Sequence, residues 1–355
     1  MTYKPCTSAS ISQQRKNKKG KTMSKSFFIS VFAVLLASTS LHASEEMLVA
    51  SNRSNYIEQF TTTGTWVRTF ATTGPYAPTA LVQSPLTGEV FVTSMWASGQ
   101  QVGQLTNIIL RYQSNGQFET NWDTFRVSCG DFPCGTSETQ SMLFDSSGNL
   151  WIATAYGEDF GDAIYIFKYL AADLQLPNPP AQPKPIVADM YRGDQMAFNK
   201  SGDLCIAGFI DEDVQCFNTS TGAKTADYRT EIHDSSVGDI EPVGLAFDED
   251  NRLYLNSVFT GQVVKEENPG GPIVLLAAPV SHPTLLDANL VLSGTSLYVA
   301  AFGNPPGTFS APDPVYEITT SGTVTDFIVG AAAPALGNDH IWGATWIMLF
   351  STTLR

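Results

Sequence analysis

Five residues of this 355-residue chain are spaced so that they can share a site: Glu138, Asp194, Glu241, Asp287 and His340. Glu138 and Glu241 each lie six positions before an aromatic residue, Phe144 and Phe247, and His340 lies six before Trp346. Asp194 lies four before Phe198, and Asp287 four before Val291. Even spacing places such groups on one face of their strands. Four carboxylates that converge need a cation or a proton to relieve their repulsion, so Glu138, Asp194, Glu241 and Asp287 form a candidate Ca²⁺ or Mg²⁺ site. His340 beside that metal would orient a water or act as the base of a hydrolase. The same carboxylates also suit a plainer role, solvated at strand ends and hydrogen-bonded to neighbouring amides.

Cysteines are the second chemical set. Cys129, Cys134, Cys205 and Cys216 remain once an N-terminal leader carrying Cys6 is set aside, an even number that suits an oxidising compartment. Cys205 and Cys216 fall on two strands of one hairpin whose turn near Ile210 and Asp211 sets them opposite each other, which predicts a cross-strand disulfide. Cys129 and Cys134 bracket GDFP and close a small loop as a second disulfide; a zinc site there needs two further ligands that the neighbourhood does not offer.

The elements that must position these residues repeat along the chain. The stretch 141–154, SMLFDSSGNLWIAT, reads as strand, tight turn and strand, because apolar and β-branched runs flank Asp, Ser and Gly. It recurs at 195–208, 243–257 and 289–301, and more loosely at 79–94. Copies made only of strands and turns predict an all-β fold, a six-bladed β-propeller of four-stranded blades. Leu48, Phe91, Trp151, Cys205, Tyr254 and Tyr298 mark equivalent positions of the six. Residues 47–51, 54–60 and 65–70 supply three strands of blade one, and 341–350 supplies the missing inner one, with Gly343 and Trp346 aligned on Gly244 and Phe247. Such a closure removes the open sheet edge. The Pro-rich stretch 176–185 reads as a stiff connection within blade three.

Residues 1–44 read as an N-terminal extension and secretory signal peptide, and 45–355 as the propeller. The first 44 residues hold seven Lys or Arg and no acid, then the apolar run 27–37 and small residues up to a cleavage point near Ala43. Met23 is an alternative start. The expected destination is secreted or periplasmic, with no membrane span in the mature chain. The whole chain has a net charge of −14; beyond residue 44 there are 20 − 7 = 13 basic against 34 acidic residues, or −21. That surface excludes nucleic acid as a partner and favours cations and basic partners.

The pattern GLAFD…LYL at 244–255, with SSGNLWIAT at 146–154 and TTSGTVTDF at 319–327, resembles NHL-type and SMP-30/gluconolactonase-like six-bladed propellers, and more distantly the virginiamycin B lyase type. The resemblance spans 45–355 and implies the fold. It also implies, for the hydrolases of that group, a divalent cation held by acidic and amide groups in the central channel, and for the lyases catalytic histidines; this mature chain offers His233, His282 and His340. No GxSxG elbow, Walker loop, HExxH or GxGxxG is present. The expectation that follows is a monomeric, non-catalytic exported propeller that binds a protein or carbohydrate on its loop faces. The alternative is a metal-dependent hydrolase or lyase with an acidic channel site.

Overall fold

The computed structural model describes residues 45–51, 55–73, 76–97, 107–125, 139–156, 163–176, 185–190, 193–208, 211–229, 233–234, 238–257, 260–278, 289–300, 315–328 and 344–351. Among them the strands form six four-stranded antiparallel sheets and one two-stranded ribbon, His233–Asp234 with Gly238–Asp239. The sheets are the blades of a β-propeller. Their innermost strands are Ala344–Ser351, Tyr76–Gln83, Thr139–Phe144, Gly193–Phe198, Pro242–Phe247 and Leu290–Ser293, for blades one to six. Each packs on the next, and the sixth packs on the first, so the ring is closed.

Local chemistry explains the blades. In blades three, four and five the turn after the innermost strand opens with Asp145, Asn199 or Asp248. Its side-chain oxygen accepts from the amides two and four residues on: Ser147 and Asn149 at 3.0 and 2.9 Å, Ser201 and Asp203 at 2.9 and 3.0 Å, Asp250 and Arg252 at 3.0 and 2.8 Å. Three residues after the acceptor the backbone is left-handed, at Gly148 (φ 78°), Gly202 (φ 81°) and Asn251 (φ 69°), a conformation that Gly adopts freely and Asn tolerates. The core lies between blades: Phe91 of blade two meets Phe144 of blade three edge-on at 5.7 Å, and Trp151 of blade three meets Phe198 of blade four at 6.3 Å.

Blade one closes as the sequence predicts, by pairing Ala344–Ser351 with Glu45–Ser51. The register differs. Trp346 pairs with Ala50, and Leu349 with Met47; Met47 is the equivalent of Leu253, which pairs with Phe247. Leu349, not Trp346, therefore stands where Phe247 does, three residues along. The closing strand lacks the Asx turn that anchors blades three, four and five, and it shifts register between Ala50 and Ser51, so a Gly-to-aromatic spacing alone misaligned it.

Chain direction sorts the connections onto two faces. Turns after every first and third strand lie on one face; connections after every second strand, and from each blade to the next, lie on the other. The first face holds tight turns such as 61–65, 113–117, 145–149 and 319–323, closed by their own backbone hydrogen bonds. On the second face the described strands end and resume around the long stretches 98–106, 126–138, 279–288, 301–314 and 329–343, which are themselves outside the described residues. The Pro-rich stretch is the exception among long connections, because it joins the third and fourth strands of blade three.

Candidate functional site

All innermost strands begin on the long-connection face, so the channel mouth there is where the sequence places its carboxylates. Asp194 lies in the innermost strand of blade four, within a bulge between the pairs Gly193–Gly208 and Met196–Ile206, and is half-buried. Glu241 directly precedes the innermost strand of blade five and is also half-buried. These two are thus on neighbouring blades at the same end. Glu138, Asp287 and His340 lie outside the described residues. With the observed register of the closing strand, the position equivalent to Glu138 and Glu241 in blade one is 343 rather than His340. Among the described residues no group of three or more His, Cys, Asp or Glu side chains is placed to hold a metal.

What the mouth does show is a layer of neutral polar groups. Thr93, Ser141, Thr154, Asn256, Ser257 and Asn289 are buried at the starts of first strands or the ends of second strands. A bulge recurs beside them: the first-to-second strand pairing shifts at Pro78/Ala80, Thr139/Ser141, Gly193/Met196 and Pro242/Gly244. Bulges re-aim side chains, and here they end the ladder where the blades converge.

Gln195 is the centre of this layer. Its Oε1 accepts from Leu245 N–H of blade five at 2.9 Å and from Leu290 N–H of blade six at 2.7 Å, and its Nε2 donates to Leu290 O at 3.0 Å. Ser141 Oγ of blade three accepts from Met196 N–H of blade four at 3.1 Å. Four blades are tied by two side chains. Sequence reasoning passed over Gln195 because it weighed acids and histidines; its signal was a polar residue at the place where blade three has Ser141 and blade five Gly244.

The disulfide between Cys205 and Cys216 forms as the hairpin register predicts, with the two residues directly paired and Cα atoms 4.0 Å apart. Both are buried in the core of blades four and five, and a disulfide accords with an oxidising compartment. Cys129 and Cys134 lie outside the described residues. No described helix is long and apolar enough to cross a membrane.

Charge is managed mainly on the opposite face. Burial alone would raise the Asp145 carboxyl, but hydrogen bonds from Asn149, Trp151 and Ser147 outweigh it and hold it below the usual carboxylate range. Asp248 is lowered in the same way, against burial, by hydrogen bonds from Arg252 and Tyr254 and by the Arg252 charge. These acids are turn anchors.

No protein-family model matches the sequence, and no curated protein sequence matches it. Solved structures do match in fold. A protein of unknown function from Bacteroides caccae superposes with a TM-score of 0.58 at 12% identity, covering 86% of this chain and 99% of the other. A chain of the nidogen/laminin complex gives 0.56 at 12% identity, covering 86% and 98%. A candidate 6-phosphogluconolactonase from Bacteroides fragilis gives 0.50 at 14%, covering 88% and 99%. The chain's likeness to the NHL-type and gluconolactonase-like propellers is one of fold, and at these identities it carries the architecture alone.

Proposed function

We propose that the chain is an exported propeller that binds a protein or carbohydrate ligand, without catalysis, on the face from which the long connections leave. The observation that carries this reading is the asymmetry of the faces. Tight turns sealed by their own hydrogen bonds occupy one face, whereas the sequence invests its long connections on the other, over a buried layer of neutral hydrogen-bonding groups that ties the blades together. The buried disulfide and the apolar run at 27–37 support export, with cleavage near Ala43.

The test is to replace 301–314 and 126–138 in turn by short Gly-Ser linkers and to screen the variants and the parent on glycan and peptide arrays. Selective binding by the parent, lost in a linker variant with an unchanged melting temperature, is the expected result. A variant that keeps all binding removes the reading. The metal-dependent hydrolase or lyase is the rival, and Asp194 and Glu241 on neighbouring blades are its support. It requires Ca²⁺ or Mg²⁺ to stabilise the fold, by about 2.7 kcal/mol at one hundred times the dissociation constant.

A further inference from the structure

Three blade-to-blade seams on the tight-turn face are built alike. The turns 61–65, 113–117 and 319–323 join the third to the fourth strand in blades one, two and six, and the fourth residue of each is a left-handed glycine: Gly64, Gly116 and Gly322 (φ 76°, 89° and 96°). Each glycine sits on a carbonyl of the preceding blade's outermost strand, that of Phe327, Phe70 and Leu276 in turn, so closely that a Cβ would clash with it. In every case that carbonyl belongs to the extra residue of a bulge.

The residue before the glycine differs: Thr63, Asn115 and Ser321. The hydroxyls of Thr63 and Ser321 bond to those of Thr61 and Thr319 at 2.8 Å. Asn115 instead forms the single Asn-Gly pair of the chain, and it is exposed. A following residue without a side chain gives the backbone nitrogen its least hindered approach to the asparagine carboxamide.

We propose that Asn115 is a site of spontaneous deamidation to isoaspartate, and that the seat of Gly116 on blade one holds the reaction in check. The Gly116 nitrogen loses its proton to solvent base and attacks Asn115 Cγ; the Cγ–Nδ2 bond breaks, ammonia leaves, and a succinimide ring closes. Water then opens the ring. Opening at Cγ gives aspartate, and opening at the backbone carbonyl gives isoaspartate, whose main chain is longer by one methylene. Water is consumed, ammonia is released, and nothing is oxidised or reduced. Four contacts oppose the first step: Gly116 N–H donates to Gln113 O at 2.9 Å, Asn115 Oδ1 accepts from Gln117 N–H at 2.9 Å, Asn115 O accepts from Arg68 Nη1 of blade one at 2.8 Å, and the Phe70 carbonyl fixes the glycine in place. Attack requires Gly116 to leave both Gln113 and Phe70, so the reaction runs through a local opening of the turn. The methylene added in isoaspartate moves Gly116 off the Phe70 carbonyl and leaves a permanent weak point between blades one and two. This turn lies opposite the long connections, so its chemistry is independent of the ligand-binding reading.

The full chain is incubated at mildly alkaline pH, folded and in guanidinium chloride, and the peptide containing Asn115 is followed by its mass and isoaspartate content. Conversion in guanidinium, slowed at least about tenfold in the folded protein, is expected, and exchange of the Gly116 amide hydrogen should be slowed by a similar factor because both need the same opening. A folded Arg68→Ala lacks the donor to Asn115 O and should convert faster than the parent. The isoaspartyl protein, separated by ion exchange, should unfold at lower denaturant than the parent, whereas Asn115→Asp, which adds the charge without lengthening the chain, should not. No conversion in guanidinium overturns the site. Equal rates folded and unfolded, a Gly116 exchange factor far from the conversion factor, or an unchanged rate in folded Arg68→Ala overturns control by the seat. An isoaspartyl protein as stable as Asn115→Asp overturns the weak point.

Discussion

The two faces of the ring use the same residue types for opposite ends. On the tight-turn face Asp145, Asn199 and Asp248 spend their side-chain oxygens on the backbone of their own turn. On the long-connection face Ser141 and Gln195 spend theirs on the next blade. Short polar side chains close a loop locally where the chain reverses at once; a longer amide reaches between blades where the ladder has been broken by a bulge. Turns on the first face close on themselves and also touch the next blade, as where Lys200 N–H donates to Asn251 Oδ1 at 2.7 Å and Lys265 Nζ to Thr320 O at 3.0 Å; on the second face one side chain, Gln195, joins blade four to blades five and six.

That contrast can be broken in order of expected effect. Deleting 344–355 removes the strand that completes blade one and exposes the edge of Glu45–Ser51; aggregation, seen as loss of the monomer in size-exclusion chromatography, is the expected outcome. Gln195→Ala strands two amides and one carbonyl of two other blades, and should cost about 3 kcal/mol in urea unfolding. A cost below about 1 kcal/mol would mean that the mouth is not held from blade to blade. On the tight-turn face Gly116→Ala places a methyl against the carbonyl of Phe70 in blade one, at a φ of 89°; a loss of about 2 kcal/mol is expected, because both position and conformation exclude a side chain.

The smallest effect concerns acid. The Asp145 and Asp248 carboxyls are lowered in the fold, so their contribution is complete above the ordinary carboxyl value near 3.8 and is lost as pH falls through the lower folded value. Asp248→Asn should cost about 0.5 kcal/mol at neutral pH and lose less stability than the parent on acidification below 3.8. Equal acid sensitivity in the two proteins would show that these turns do not carry the titration.

The blades were legible in the sequence because second strands repeat an apolar run after a polar turn, an Asx turn in blades three, four and five, and Phe91, Trp151, Cys205, Tyr254 and Tyr298 do pair at equivalent places. The cysteine hairpin was legible for the same reason, register being fixed by period two. The closing strand was read three residues out, since Leu349 carries no turn to mark its end. The mouth was the least legible part. Sequence reasoning followed charge to Asp194 and Glu241, whereas the contacts that join the blades belong to Gln195 and Ser141, whose role depends on bulges that add one residue to a strand and leave no mark in hydrophobic spacing.

Closure of blade one also sets an order in time. Glu45–Ser51 is among the first strands to be synthesised, and its partner Ala344–Ser351 is among the last. Until the final strand arrives, the first blade presents an unpaired edge while five other blades have all that they need from nearby chain. Contacts this distant in sequence are slow to form and leave the nascent protein exposed to wrong partners. The ring therefore closes only once residues 344–351 have been made, and any cellular factor that shields Glu45–Ser51 must hold it until then.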